Sequence, residues 1–244
     1  MKNTLWQVWK DHDDRYALLK EWYANGTLEK ELPEVFCLYG IPQPEAHHPE
    51  IDTGVHVEMV VQQAQRLSND PSILWACLMH DLGKGVTNKD FWPQHIDHEE
   101  LGKPLVENVC ARLNVPSDTT ELSVSVCVDH LRCHRALDMR PGNLIQWMEQ
   151  TGYLFDESKL VQFVTACEAD ARGRLGLEHR MYAQKPYILE VRNIASTFFK
   201  GERTREIELG EAIHAVQSRL GKNAAARLAY FHDADASDDQ PSMC

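Results

Sequence analysis

Apolar residues recur at three- and four-residue intervals along most of the chain and rarely at every second position. That period belongs to α-helices; half-buried strands would alternate. Residues 4–23 (TLWQVWKDHDDRYALLKEWY) carry the first such pattern. Between Asn25 and Asp52 the chain is irregular, with Gly40, Pro42, Pro44 and Pro49 breaking any long element. Asp52 or Thr53 can cap the next helix, whose apolar positions run through Leu67. Pro71 suits a first helical turn, and SILWACLMHD continues from it. Gly83 and Gly85 end that helix, and a polar loop (KGVTNKDFWPQHID) follows. Leu101, Leu105, Val109 and Leu113 predict an amphipathic helix over 98–113. Further helices are predicted over 117–135, from Pro141, over 156–170, from Pro186 towards Lys200, and over 203–220. No internal repeat is present, and the class is all-α. The chain divides into an N-terminal helical extension (1–35), a helical-bundle core (36–180) and C-terminal helices packed on that core (181–222). The remainder, 223–244, ends in DADASDDQPSMC, acidic and poor in apolar groups, and is expected to be disordered.

Composition narrows the function classes. A net charge of −12 disfavours tRNA or any other extended phosphate backbone, whose binding draws on a Lys/Arg surplus. It permits a small phosphorylated substrate, because a metal ion can supply positive charge locally. No apolar stretch approaches a membrane span. The N-terminal MKNTLWQVWKDHDDRY is charged almost at once and has no apolar signal core, so a cytoplasmic location is the default. The seven cysteines include no CxxC pair. Cys77, Cys110, Cys127 and Cys167 read as small buried hydrophobes in a reducing compartment. Of twelve histidines, eight fall between His47 and His134, a clustering that favours a metal site.

The groups able to hold a cation lie on several different helices. His56 is on the first turn of its helix, and His80 and Asp81 end the next. His98 and Glu99 open the amphipathic helix. His130 and His134 are four apart and share a face. Asp170 comes late, in CEADARGR. The interior of a helical bundle is where such residues can converge. Successive side chains on a helix diverge by about 100°, so His80 and Asp81 point together only where the helix is ending or where a shared ligand caps it. Nitrogen and oxygen ligands without thiolate suit Mg, Mn, Co, Ni, Fe or Zn and do not single one out. Read singly, each piece is compatible with an ordinary solvated or satisfied polar residue.

In chain order His56, His80-Asp81 and Asp170 read H…HD…D, which resembles the HD superfamily of metal-dependent phosphohydrolases. HPEIDTGVHVEMV, CLMHDLGKGVT, FWPQHIDHE, LGKPLVENVCARLNVP and CEADARGRLGLE are similar to the C-terminal HD domain of bacterial CCA-adding enzymes (tRNA nucleotidyltransferases). YAQKPYILEVRNIAS and FKGERTREIEL resemble the segments that follow there. The resemblance implies an HD-domain bundle and metal-assisted hydrolysis of phosphoesters. The implied activities are those of a 2′,3′-cyclic phosphodiesterase, 2′-nucleotidase and phosphatase acting on small nucleotides. It implies that His56, His80, Asp81 and Asp170 hold one divalent cation. His98 and His130 would hold a second or face the substrate. Asp81, Lys84, His98 and His130 become the catalytic candidates. Lys84, Arg172 and Arg174 become phosphate contacts, with His134 a further one or the proton donor to the leaving oxygen. Asp129 is either a partner of a ligating histidine or a solvated helix position. The stretch ahead of LPEVF is too short for the nucleotidyltransferase head of that family, so CCA addition is not carried over. Two alternatives stand beside this reading: a non-catalytic module binding tRNA or a nucleotide, and an HD hydrolase of another nucleotide. The sequence leaves a homodimer open.

Overall fold

The computed structural model describes residues 4–238. The helical period becomes thirteen α-helices among the described residues, with no strand. The first predicted segment is two helices, α1 (Leu5–Asp11) and α2 (Arg15–Ala24). They separate because Asp14 leaves helical geometry and caps α2, accepting from Ala17 N at 2.9 Å. The irregular stretch holds two short helices, α3 (Thr27–Glu31) and α4 (Pro33–Phe36), before a single antiparallel bridge pairs Pro42 with Asp52. Asp52 then caps α5 (Thr53–Leu67), accepting from Val55 N at 3.0 Å. Asp70 caps α6 (Pro71–Met79) through Ser72 N at 2.9 Å. Tight 3-10 turns cover Leu82–Val86 and Lys89–Phe91. There follow α7 (His98–Leu113), α8 (Ser117–His134), α9 (Pro141–Gln150), α10 (Glu157–Arg172), α11 (Gln184–Ser196), α12 (Arg205–Leu220) and α13 (Ala224–Asp238). No helix among the described residues is long and apolar enough to cross a membrane.

The chain forms two compact units. The first runs through Leu131 and includes Thr165–Arg180; the second takes Arg132–Val164 and the chain from Met181 on. The stretch 36–180 is therefore divided between two units, each of them discontinuous in sequence. In the first unit α6 is apolar on all sides, and every residue from Ile73 to Met79 is buried. Its Trp75 packs edge-on against Trp9 at 5.6 Å and Trp6 at 5.5 Å, and the Trp9 indole donates to Pro71 O at 3.1 Å. The N-terminal helices thus belong to the same core as α5 and α6. Cys77, Cys110, Cys127 and Cys167 are buried, and burial pushes the Cys127 thiol up to about 12.

Two expectations change. The buried face of α7 is Gly102, Val106, Val109, Cys110 and Leu113, while Leu101 is 40% exposed. The Leu82–Val86 turn lies on this helix, and a Cβ at Gly83 would overlap the His98 carbonyl. A Cβ at Gly102 would meet Cys127 Sγ and the Gly83 backbone, so small residues set the contact face. The second change concerns the acidic tail. Within the second unit Ala224–Asp238 is helix, inside the stretch 223–244 whose composition suggests disorder, and residues 239–244 lie outside the described residues. Arg227 anchors α13. Its guanidinium donates to Leu137 O at 2.6 Å and Met139 O at 2.7 Å, and lies 5.3 Å from the Tyr187 ring centroid. Buried carbonyls beyond a helix end require such donors.

Candidate metal centre

The groups gathered at the end of α6 lie in the first unit. At the end of α6, His80 keeps helical dihedrals (φ −59°, ψ −33°) and Asp81 leaves them (φ −109°, ψ 14°). The helix ends between them, which lets both side chains face one point: His80 Nε2 and Asp81 Oδ2 are 3.1 Å apart. From α5, His56 Nε2 reaches to 3.1 Å from Asp170 Oδ1 and 3.8 Å from Asp81 Oδ2. Asp170 Oδ1 is also 3.8 Å from His80 Nε2. Gly173 allows this approach, since a Cβ there would collide with the Val60 backbone of α5. On the other side, His98 Nε2 from α7 and His130 Nε2 from α8 stand 3.6 and 3.9 Å from Asp81 Oδ1. Two groups result, His56–His80–Asp170 and Asp81–His98–His130, each with its ligand atoms within 4.8 Å of one another. Asp81 lies between them, with one oxygen towards each.

The histidine rings are oriented by backbone carbonyls. The Nδ1–H of His80 donates to Cys77 O at 2.7 Å, and that of His98 to His95 O at 2.9 Å. His130 donates to Val126 O at 3.0 Å, and His56 to Gly173 O at 3.0 Å. A carbonyl only accepts, so each ring carries its proton on Nδ1 and turns Nε2 inward, the tautomer a metal requires. His80 Nε2, His98 Nε2 and Asp81 Oδ1 are buried without a hydrogen-bond partner among the described residues. Buried acceptors facing one another are costly unless a positive charge joins them. Ligands about 2.1 Å from a divalent cation sit roughly 3–4 Å from each other, so the spacing here fits a cation in each group.

Electrostatics agree with the geometry. Burial alone would raise the Asp81 carboxyl, but His80, Lys84 and His98 outweigh it and hold the group well below the usual carboxylate range. Burial likewise opposes charge on His56, yet Asp170 and Glu50 beside it push its pKa up. His98 is lowered, chiefly by burial.

The other sequence candidates divide. Lys84 is buried and its ammonium is directed to Asp81 Oδ2 at 2.7 Å and Gln43 Oε1 at 2.5 Å, so it contacts the carboxylate first. Arg174 lies beside the centre, 3.7 Å from Asp170 Oδ1. Arg172 pairs with Glu168 at 2.7 Å one turn back along α10. His134 belongs to the second unit, where its Nδ1 meets the Tyr182 hydroxyl at 2.8 Å. Asp129 is buried, which removes the solvated position from its two readings. Sequence reasoning missed Gln43, His48, Glu50 and His95. His95 is buried: its Nε2–H donates to Pro42 O at 2.8 Å, its Nδ1 meets the Thr87 hydroxyl at 2.7 Å, and its own carbonyl accepts from His98. These residues occupy the irregular stretches, where no period announces them; the density of histidine was the one available signal.

An all-helical unit that turns H…HD…D side chains inward is the arrangement that the HD resemblance implies. Residues 53–170 match the HD domain family, and the chain carries an HD domain. It is similar to the Multifunctional CCA protein of Teredinibacter turnerae, 42% identical over 79% of this chain and 48% of that one. The Multifunctional CCA protein of Pseudomonas aeruginosa is 45% identical over 77% of this chain and 47% of its own. That of Ectopseudomonas mendocina is 42% identical over 84% and 51% respectively. The chain spans about half the length of these curated relatives.

Proposed function

We propose that this protein hydrolyses phosphoesters of small nucleotides, as a 2′,3′-cyclic phosphodiesterase, 2′-nucleotidase and phosphatase, with one or two divalent cations held around Asp81. The observation that carries the reading is the placement of Asp81 between two groups whose histidines all turn Nε2 inward. His56, His80, Asp81 and Asp170 would hold one cation, and Asp81, His98 and His130 a second. A cation there supplies Lewis acidity towards a phosphoryl oxygen and lowers the pKa of water from about 16 towards about 7.

The remaining roles fall to this chain's own side chains. Lys84 spends two contacts on Asp81 and Gln43, which fixes the carboxylate that both groups share. Its ammonium has three protons, so one remains for a phosphate oxygen. Arg174 can offer a planar fork to the same phosphate. Ring nitrogens bonded to backbone carbonyls hold the centre in place before substrate arrives, which is how electrostatic stabilisation avoids reorganisation during the reaction. The net charge of −12 favours a single phosphate at a cationic centre over a long tRNA backbone.

The test is turnover by metal-stripped protein given back Mg, Mn, Co, Ni, Fe or Zn singly. Substrates are 2′,3′-cyclic AMP, 2′-AMP and an aryl phosphate. Metal-dependent hydrolysis of the cyclic nucleotide, lost in Asp81→Ala, is the expected result. Folded protein that binds nucleotide and turns over none of the three with any metal would overturn it in favour of a binding module.

A further inference from the structure

Behind His56 stands a second row of polar groups. Glu50 lies in the loop before α5 with its side chain 2% exposed. Its Oε1 is 3.0 Å from His56 Nδ1 and 3.0 Å from His48 Nδ1. Its Oε2 accepts from Leu175 N at 3.3 Å, in the turn just after Asp170. The rings of His48 and His56 meet edge to face at 4.6 Å. One buried carboxylate therefore ties together the loop, α5 and the segment that follows the late aspartate. His48, Glu50 and His56 are close enough to be considered a cation group themselves. His48 Nδ1 hydrogen-bonds to that oxygen, and His56 Nδ1, whose proton is directed to Gly173 O at 3.0 Å, stands equally close to it, so both rings share one carboxylate.

We propose that Glu50, buttressed by His48, is the positioning residue that makes His56 a strong ligand. The inference rests on the metal-centre reading above. A carboxylate accepting the Nδ1–H of a ligating histidine fixes its tautomer and ring plane and raises the basicity of Nε2. His80, His98 and His130 have neutral carbonyls in that place; His56 has a carbonyl and a carboxylate together. The effect is therefore confined to the His56–His80–Asp170 group and leaves the Asp81–His98–His130 group as it is.

Cobalt or manganese binding, followed by equilibrium dialysis and the cobalt absorption spectrum, separates the possibilities. Glu50→Gln keeps the shape and removes the charge. It is expected to weaken one cation by roughly 10- to 100-fold and to leave the other unchanged. The same loss is expected in a His98→Ala background, and no further loss in a His56→Ala background, because Glu50 acts through His56. Equal affinity in wild type and Glu50→Gln, or an equal added loss in the His56→Ala background, overturns the inference alone. Wild type that takes up no cation overturns the metal-centre reading and this one with it. A measurement needing no Glu50 variant guards against misfolding: nitrogen-15 histidine spectra of the zinc-loaded wild type, with His56→Ala to assign the ring. They are expected to show His56 protonated at Nδ1 and metallated at Nε2. Metal on Nδ1 would overturn the proposal.

Discussion

At the scale of single residues, the centre depends on which atom each side chain presents. Asp81 turns Oδ2 to His56 and His80 and Oδ1 to His98 and His130, whereas His98 serves only one group. Asp81→Ala is therefore expected to abolish uptake of both cations, and His98→Ala to leave one equivalent, read by metal analysis after dialysis. His48 carries the clearest pH dependence. Burial, above all, pushes its pKa down to about 4, against about 6.5 for a histidine in an unfolded chain. Between those values the unfolded chain takes up a proton that the folded one refuses. Its stability contribution is complete above about pH 6.5 and falls as pH drops towards 4. Urea midpoints of the metal-free protein should fall over that window, with a shallower slope in His48→Gln. An unchanged slope would mean that the ring is protonated in the folded state.

Elements fix where those residues stand. The Asp52 side chain closes the loop onto the helix, accepting from Val55 N at 3.0 Å and Gly40 N at 2.6 Å. Its replacement by Ala is expected to cost about 1–2 kcal/mol in chemical denaturation and to loosen the end of α5 that carries His56. Gly83 is a stricter case. Any Cβ there meets the carbonyl at the start of α7, so the turn after Asp81 must move off His98. Gly83→Ala is expected to lose about 1–3 kcal/mol and to weaken the Asp81–His98–His130 cation more than the His56–His80–Asp170 one. Loss of stability with both affinities intact would show that the turn is not what sets the distance. The face of α7 illustrates the same physics: a four-residue leucine repeat marks a helix, but a backbone packed against Gly102 chooses which side is buried.

For the whole molecule, cation binding is expected to be linked to folding. Ligands for the centre come from α5, the end of α6, α7, α8 and α10, so their convergence exists only in the folded first unit. A cation at 100 times its dissociation constant is expected to stabilise the fold by about 2.7 kcal/mol. That is seen as a higher denaturant midpoint which chelator removes and Asp81→Ala lacks. A midpoint indifferent to metal would place the cation outside the folded core.

The sequence by itself determined the helical class, narrowed the cap of α5 to Asp52 or Thr53 and supplied the H…HD…D candidates, because period, capping chemistry and residue type are local properties. It also carried enough likeness to name the HD family. The tertiary structure decided the rest. The course of the buried face of α7, the helix at Ala224–Asp238 and the division into units depend on neighbours far away in the chain. So do the engagement of Lys84 by Gln43 across 41 residues and the approach of Glu50 to Leu175 across 125. Period and propensity describe what a segment does along its own axis; which oxygen faces which nitrogen is settled only when segments pack.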